Sequence, residues 1–122
     1  MRNPRRPSRA QQRELARRLG PGLHRNVALA GQTSFKIGGP AALLFEATTA
    51  EALATAVRVA RELDIDYFLL GAGANILIGD RGFAGLVIAN RARGVSVRGT
   101  FVTAASGALI YPDVIDTAVA HD

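Results

Sequence analysis

The strongest constraint on this chain's fold is a helix pattern set between two short apolar runs. Ala41–Ala47 is a compact apolar run bounded by glycine and threonine, and it reads as a buried strand. Thr48-Thr49-Ala50-Glu51 then has the spacing of a capping box. In that box the Thr48 hydroxyl accepts from the backbone N–H of Glu51 while the Glu51 carboxylate reaches back. Leu53, Ala56, Val57, Val59, Ala60 and Leu63 fall on one apolar stripe, and Glu51, Thr55, Arg58 and Glu62 on a polar face. Tyr67–Leu70 reads as a second short buried strand. Strand, helix and strand joined by short links form a βαβ unit, which predicts two parallel strands with a right-handed crossover.

The flanks are read from their turn residues. Ser8 is placed to cap a short surface helix through Leu19, weakly apolar at Leu15, Ala16 and Leu19, with Gly20-Pro21-Gly22 ending it. Residues 1–8 read as disordered. Gly38-Gly39-Pro40 divides the stretch beginning at Asn26 into two extended pieces. Leu86–Ala89 is a further short apolar strand, and Val95–Arg98 and Phe101–Ala105 flank a hairpin turn at Gly99-Thr100. Tyr111-Pro112 opens a last helix, with Asp113 and Asp116 expected as exposed acids at its positive end.

Composition excludes several chemistries. The 122 residues fit one modest core, and nearly half are hydrophobic. No apolar run is long enough to cross a bilayer, and the basic start lacks the apolar stretch of a secretory signal. With no cysteine there is no disulfide, thiolate metal site or thiol nucleophile, which fits a cytoplasmic protein. His24 and His121 sit at opposite ends, so no histidine metal site is expected. Charge is segregated. Residues 1–25 hold eight arginines (Arg2, Arg5, Arg6, Arg9, Arg13, Arg17, Arg18, Arg25) against Glu14, a net +7. Residues 26–122 hold seven basic and nine acidic side chains, a net −2. Such a leader either is simply solvated or binds nucleic acid or an anionic membrane surface. No aromatic residue interleaves the arginines, so nucleic acid is not the expected partner.

One segment invites a chemical reading. Leu69–Gly85, LLGAGANILIGDRGFAG, follows the second strand with five glycines. Gly71-Ala72-Gly73 opens like a dinucleotide fingerprint, but Ile76 stands where a third glycine is required and no amphipathic helix follows. Glycines 79, 82 and 85 would each cost such a helix roughly 1 kcal/mol. A plain turn remains open, as does an anion nest in which consecutive N–H groups converge on a phosphate with Asn75 donating its amide. Asp80-Arg81 reads as a loop-stabilising pair or as solvated charge, and Lys36 as a solvated side chain or a phosphate neighbour.

Thr33-Ser34-Phe35-Lys36-Ile37-Gly38-Gly39-Pro40-Ala41 resembles the stretch that opens the flavin domain of the UDP-N-acetylenolpyruvoylglucosamine reductase (UDP-N-acetylmuramate dehydrogenase) family. LGAGANILIGDRGFAGLVI is similar to the same family's glycine loop, and VTAASGA to a third landmark ending in Ala-Gly-Ala. Together the landmarks cover roughly residues 26–120. The resemblance implies an α+β fold. This is the FAD-binding module shared with vanillyl-alcohol oxidase and p-cresol methylhydroxylase relatives, a βαβ layer followed by the start of an antiparallel sheet, here truncated. It implies a first subdomain over 25–90 and an incomplete second over 91–122, behind a basic leader at 1–24.

The resemblance also implies FAD as cofactor, its pyrophosphate cradled by Gly71, Ala72, Gly73, Ala74, Asn75, Ile76 and Leu77. Ile37, Gly38, Gly39, Gly107 and Ala108 are further flavin neighbours, although Gly38-Gly39 also reads as a simple bend. The family has serine where this chain has Ala74, a lost hydroxyl contact worth about 0.5–1.5 kcal/mol. The activity implied is reduction of the enolpyruvyl sugar nucleotide to UDP-N-acetylmuramate in peptidoglycan synthesis, with NADPH as hydride donor. The family's catalytic groups map to no residue of this chain, so activity is expected only with a substrate domain or a complementing chain. The alternatives are a non-catalytic flavin or nucleotide binder, or the FAD domain of another oxidase of the same fold.

Overall fold

The structure is a computed structural model and describes residues 3–32, 38–71, 81–108 and 110–120. In chain order the elements are α1 (Arg9–Leu19), β1 (Leu23–Ala28), β2 (Pro40–Ala47), α2 (Ala50–Glu62) and β3 (Tyr67–Leu70). Then follow β4 (Phe83–Asn90), β5 (Val95–Arg98), β6 (Phe101–Ala104) and α3 (Asp116–Ala120). Among the described residues, β1–β4 form one sheet in the order β1-β2-β4-β3, and β5 and β6 form a separate antiparallel hairpin.

The two strands of the expected βαβ unit have the same direction but are not neighbours. β4 lies between β2 and β3 and pairs in parallel with both. The reason is in its side chains. Leu86, Val87, Ile88 and Ala89 are all fully buried, so β4 needs cover on both faces and takes the centre. It is also longer than the four residues expected, running over eight from Phe83. β1 adds to the outer edge of β2 antiparallel, with Leu23 opposite Phe45 and Ala28 opposite Pro40. Past Ala28 the chain tightens into a 3-10 turn at Leu29–Gln32 rather than staying extended.

Alternation along the central strands builds two apolar layers. Leu43, Phe45, Leu86 and Ile88 point to the helix-covered face, where Ala56, Val59 and Ala60 of α2 meet them. Leu44, Val87 and Ala89 point to the opposite face with Leu29, Ala41 and Leu70. The cap of α2 is Thr49, one residue later than the spacing predicts. Thr49 is extended (φ −135°, ψ 158°), and its Oγ1 accepts from the Ala52 N–H at 3.0 Å.

α1 begins at Ser8 through a capping box with Gln11, as a helix there requires. It is not a loose surface helix. Leu15 is fully buried in the same layer as Leu43 and Phe45. One large apolar side chain suffices because polar tethers fix the docking. Gln11 Nε2 donates to the Leu63 carbonyl at 2.9 Å, and Arg18 pairs with Glu62 at 2.6 Å. The segment before it is tied down too. The Arg5 N–H donates to Asp66 at 2.8 Å, and Pro7 is buried.

The hairpin forms as expected, with Gly99 at φ +61° in its turn and Val97 opposite Val102. Phe101 is 76% exposed, so the outer part of the hairpin has no cover among the described residues.

Candidate functional site

β2, β4 and β3 are parallel and end together, and ligands of parallel sheets bind beyond the carboxyl ends of the strands. Three described stretches meet at this edge: Gly71 after β3, residues 90–94 after β4, and the turn at residues 105–108. The Arg91 N–H donates to the Ala47 carbonyl at 2.7 Å, carrying the β2–β4 pairing one residue past the strand. Arg91 then swings its guanidinium over β3, where NH1 donates to the Gly71 carbonyl at 3.2 Å.

Asn90 organises the other side of the edge. Its Oδ1 accepts from the Ala92 N–H at 3.1 Å, and its Nδ2 donates to Ser106 Oγ at 2.9 Å. The Gly107 N–H donates to the Ala92 carbonyl at 2.9 Å, and the Ala108 N–H to the Ala105 carbonyl at 2.9 Å. A Cβ on Gly107 would lie 2.7 Å from both the Ala92 nitrogen and Asn90 Oδ1. Glycine is required there by the chain's own close approach. Gly71 differs. It is exposed, and a Cβ added to it would meet nothing within 4 Å. Gly71, Gly107 and Ala108 thus share one end of the sheet.

Gly38 and Gly39 lie at the other end. Gly38 has φ +150°, and the Gly39 carbonyl accepts from the Leu29 N–H at 3.1 Å just before β2 starts. Gly82 (φ +67°) packs there, so close that a Cβ would overlap the Pro40 carbonyl. The eight residues of β2, at about 3.3 Å each, set the two ends roughly 25 Å apart. Residues 72–80 connect them in sequence. The expectations placed on Ile37, Ala72, Gly73, Ala74, Asn75, Ile76 and Leu77, and on Lys36 and Asp80, lie outside the described residues.

Charge at the carboxyl edge is divided. Arg93 forms a fork with Asp113, Nε to Oδ2 at 2.8 Å, and this hydrogen bond raises the arginine pKa above its ordinary value. Asp113 is therefore a partner of Arg93 and not the exposed helix-start acid that spacing suggested. Arg91 sits nearer β3 and brings its positive charge to the mouth of the glycine loop. The Arg91 guanidinium beside exposed Gly71 is a cationic donor of the kind that fits the diphosphate of a dinucleotide cofactor.

Arg91 and Asn90 were not singled out by sequence reading. The signal available was position: Asn90-Arg91-Ala92-Arg93 turns polar directly after the most apolar strand of the chain.

Residues 40–119 match the family model described as FAD binding domain. The chain is also similar to curated proteins named UDP-N-acetylenolpyruvoylglucosamine reductase. That of Clostridium perfringens (strain SM101 / Type A) is 40% identical over 77 residues, 62% of this chain and 25% of the relative. That of Clostridium novyi (strain NT) is 36% identical over 98 residues, 80% of this chain and 32% of the relative. That of Synechococcus elongatus (strain ATCC 33912 / PCC 7942 / FACHB-805) is 50% identical over 66 residues, 54% of this chain and 22% of the relative. The matched stretch thus spans between 22% and 32% of each relative's length.

Proposed function

This chain belongs to the FAD binding domain family, its cofactor is FAD, and from that premise we propose that it is the flavin-holding part of a UDP-N-acetylenolpyruvoylglucosamine reductase. The observation that carries the reading is the Arg91 guanidinium on the Gly71 carbonyl, which puts fixed positive charge and bare backbone together beyond the parallel strands.

In this reading Gly71 and the residues that follow, Ala72, Gly73, Ala74, Asn75, Ile76 and Leu77, hold the cofactor's diphosphate. Arg91 orients the start of that loop and offsets the diphosphate charge. Asn90 and Gly107 set the spacing between the β4 end and the 105–108 turn, so that Ala108 borders the same site. Gly38 and Gly39, with Ile37, serve the far end of the loop, where Gly82 closes onto Pro40. The layers are then those of a p-cresol methylhydroxylase-type module, with residues 25–90 as the first part and 91–122 as the opening of the second.

The bound flavin supplies hydride transfer between NADPH and the enolpyruvyl double bond of the sugar nucleotide. This chain's residues bind and orient; proton donation and substrate contacts come from the part of the relatives that the chain does not span. The cellular setting that follows is cytoplasmic peptidoglycan synthesis.

The test is a flavin titration of the folded chain, read by quenching of flavin fluorescence. Saturable one-to-one binding supports the reading. A folded protein that leaves flavin fluorescence unchanged at saturating concentration overturns it. For the catalytic part, the chain alone is expected to oxidise no NADPH with the enolpyruvyl sugar nucleotide. The chain supplemented with the remaining portion of a relative is expected to do so.

A further inference from the structure

The opposite edge of the sheet carries a second, unrelated concentration of charge. A cleft of about 710 Å³ opens between the N-terminal segment, α1 and edge strand β1, lined by Arg6, Pro7, Arg9, Gln12, Arg13 and Arg25. Four of the six lining residues are arginines and none is acidic. Among the described residues, none of the four arginines forms an ion pair.

The arginines are held, not trailing. Pro7 is buried and its carbonyl accepts from Gln12 Nε2 at 2.8 Å. The Ser8 capping box fixes the backbone between Arg6 and Arg9. Arg6 donates to Asn26 Oδ1 at 3.4 Å, and Asn26 sits in β1 at φ +51°, a conformation asparagine tolerates better than most residues. Arg25 projects from the neighbouring position of the same strand.

The arrangement costs the helix stability. Arg9 is its first residue, at the positive end of the dipole, and the first turn contains no acid. Arg13 stands four residues on, where a like charge repels. A local conflict of this kind at a helix start is expected where function requires it. A bound anion relieves all of it at once.

We propose that this cleft is a binding site for a chain of two or three phosphate groups. Four guanidinium groups match several phosphates better than one, and each can engage a phosphate through two parallel N–H donors. The described lining residues include no aromatic side chain to stack a base and no large apolar side chain to enter a bilayer, which favours a compact oligophosphate over nucleic acid or a membrane. The phosphate chain comes either from a nucleotide or from inorganic polyphosphate. β2 and β4 lie between β1 and β3, so this cleft is distinct from the Arg91–Gly71 contact at the end of β3.

The experiment is titration calorimetry of the full chain with inorganic tripolyphosphate, with pyrophosphate and with ADP. The proteins are the parent, an Arg9→Gln/Arg13→Gln variant, an Arg6→Gln/Arg25→Gln variant and the control Arg98→Gln. All five substituted arginines are exposed, and circular dichroism checks that each variant is folded. The expected result is one saturable site, weakened tenfold or more by either double substitution, unchanged by Arg98→Gln, and persisting when the protein is saturated with FAD. ADP binding more tightly than pyrophosphate identifies a nucleotide source; equal binding identifies the phosphate chain alone. Equal weakening by Arg98→Gln overturns the proposal, because the attraction is then diffuse. Loss of binding in FAD-saturated protein also overturns it, because the anion is then at the flavin edge. Tight binding of a single-stranded RNA oligonucleotide with none of tripolyphosphate overturns it in favour of nucleic acid.

Discussion

Arg93 grips Asp113 through two parallel hydrogen bonds, Nε to Oδ2 at 2.8 Å and NH2 to Oδ1 at 2.9 Å. The fork joins the chain just past β4 to the helical turn at Ile110–Ile115 that leads into α3. α3 buries no residue fully, so this polar clamp contributes to orienting it.

Replacing either partner should therefore release the C-terminal helix and leave the sheet intact. Asp113→Asn and Arg93→Lys are both expected to speed hydrogen exchange over residues 110–120 while β2 and β4 stay protected. Lysine keeps the charge but lacks the planar pair of donors, so it should not restore protection. Unchanged exchange in both variants would sink the clamp.

The glycines of the sheet ends divide into those the chain needs and one it does not. Gly85 faces the Asp66 carbonyl so closely that a Cβ would overlap it, whereas the same addition at Gly71 meets open space. Gly85→Ala should destabilise by about 1–3 kcal/mol, as overpacking does. Gly71→Ala should stay within about 0.5 kcal/mol of the parent, as at an uncrowded surface position. Urea midpoints of the two variants, measured side by side, check the contrast.

Leu15 gives the N-terminal helix its role in the core. It is fully buried with Leu43, Phe45 and Val59. Leu15→Ala should cost about 2–5 kcal/mol, the range for emptying a leucine site. Ala16→Ser one residue on, at a half-buried position, should cost far less. A chain in which Leu15→Ala unfolds at the parent's urea midpoint would show that α1 does not belong to the fold.

Acid should loosen the same helix through Glu14. The hydrogen bond from Arg17 holds the Glu14 carboxyl below its ordinary value. A lowered folded-state pKa means that this stabilisation is present above the ordinary carboxylate value and lost as pH falls through the lowered one. Glu14→Gln should therefore be the less stable protein at pH 7, and the difference should shrink as pH falls below the ordinary carboxylate value. The pair is on the surface, so the effect is small. Urea midpoints of both proteins between pH 7 and pH 3 read it.

What the sequence disclosed and what it hid follow one physical division. Local periodicity showed α2, β3 and the β5–β6 hairpin, because each is written within one short contiguous stretch. Strand order was hidden because it depends on competition for the centre of the sheet. Val87 and Ala89 need cover on the second face as much as Leu86 and Ile88 do on the first, and only the assembled layers reveal that. Leu15 was hidden for a similar reason. One leucine in an arginine-rich stretch has no stripe, and its burial depends on Gln11 and Arg18 finding partners 52 and 44 residues away. At the site, the glycines were visible as bare backbone. Arg91 was not, since nothing in its neighbours says that it reaches back twenty residues to Gly71.

That long reach makes Arg91 the sharpest probe of the flavin edge. Its side chain touches the carbonyl of the first loop residue, and its backbone N–H is bound to Ala47, so substitution of the side chain leaves the strand pairing in place. Arg91→Ala removes a charged donor, and hydrogen bonds to charged groups are worth roughly 1.5–3 kcal/mol. Each 1.4 kcal/mol is a factor of about ten in affinity, so FAD should bind about tenfold more weakly or worse. Arg91→Lys retains the charge without the fork and should recover part of the loss, with stronger salt dependence than the parent. Arg93→Ala, whose guanidinium is already committed to Asp113, should change FAD affinity much less. Flavin fluorescence titrations at low and high salt separate these outcomes. Equal losses for Arg91→Ala and Arg93→Ala would mean that general positive charge at the edge, and not the Arg91–Gly71 contact, is what the cofactor senses.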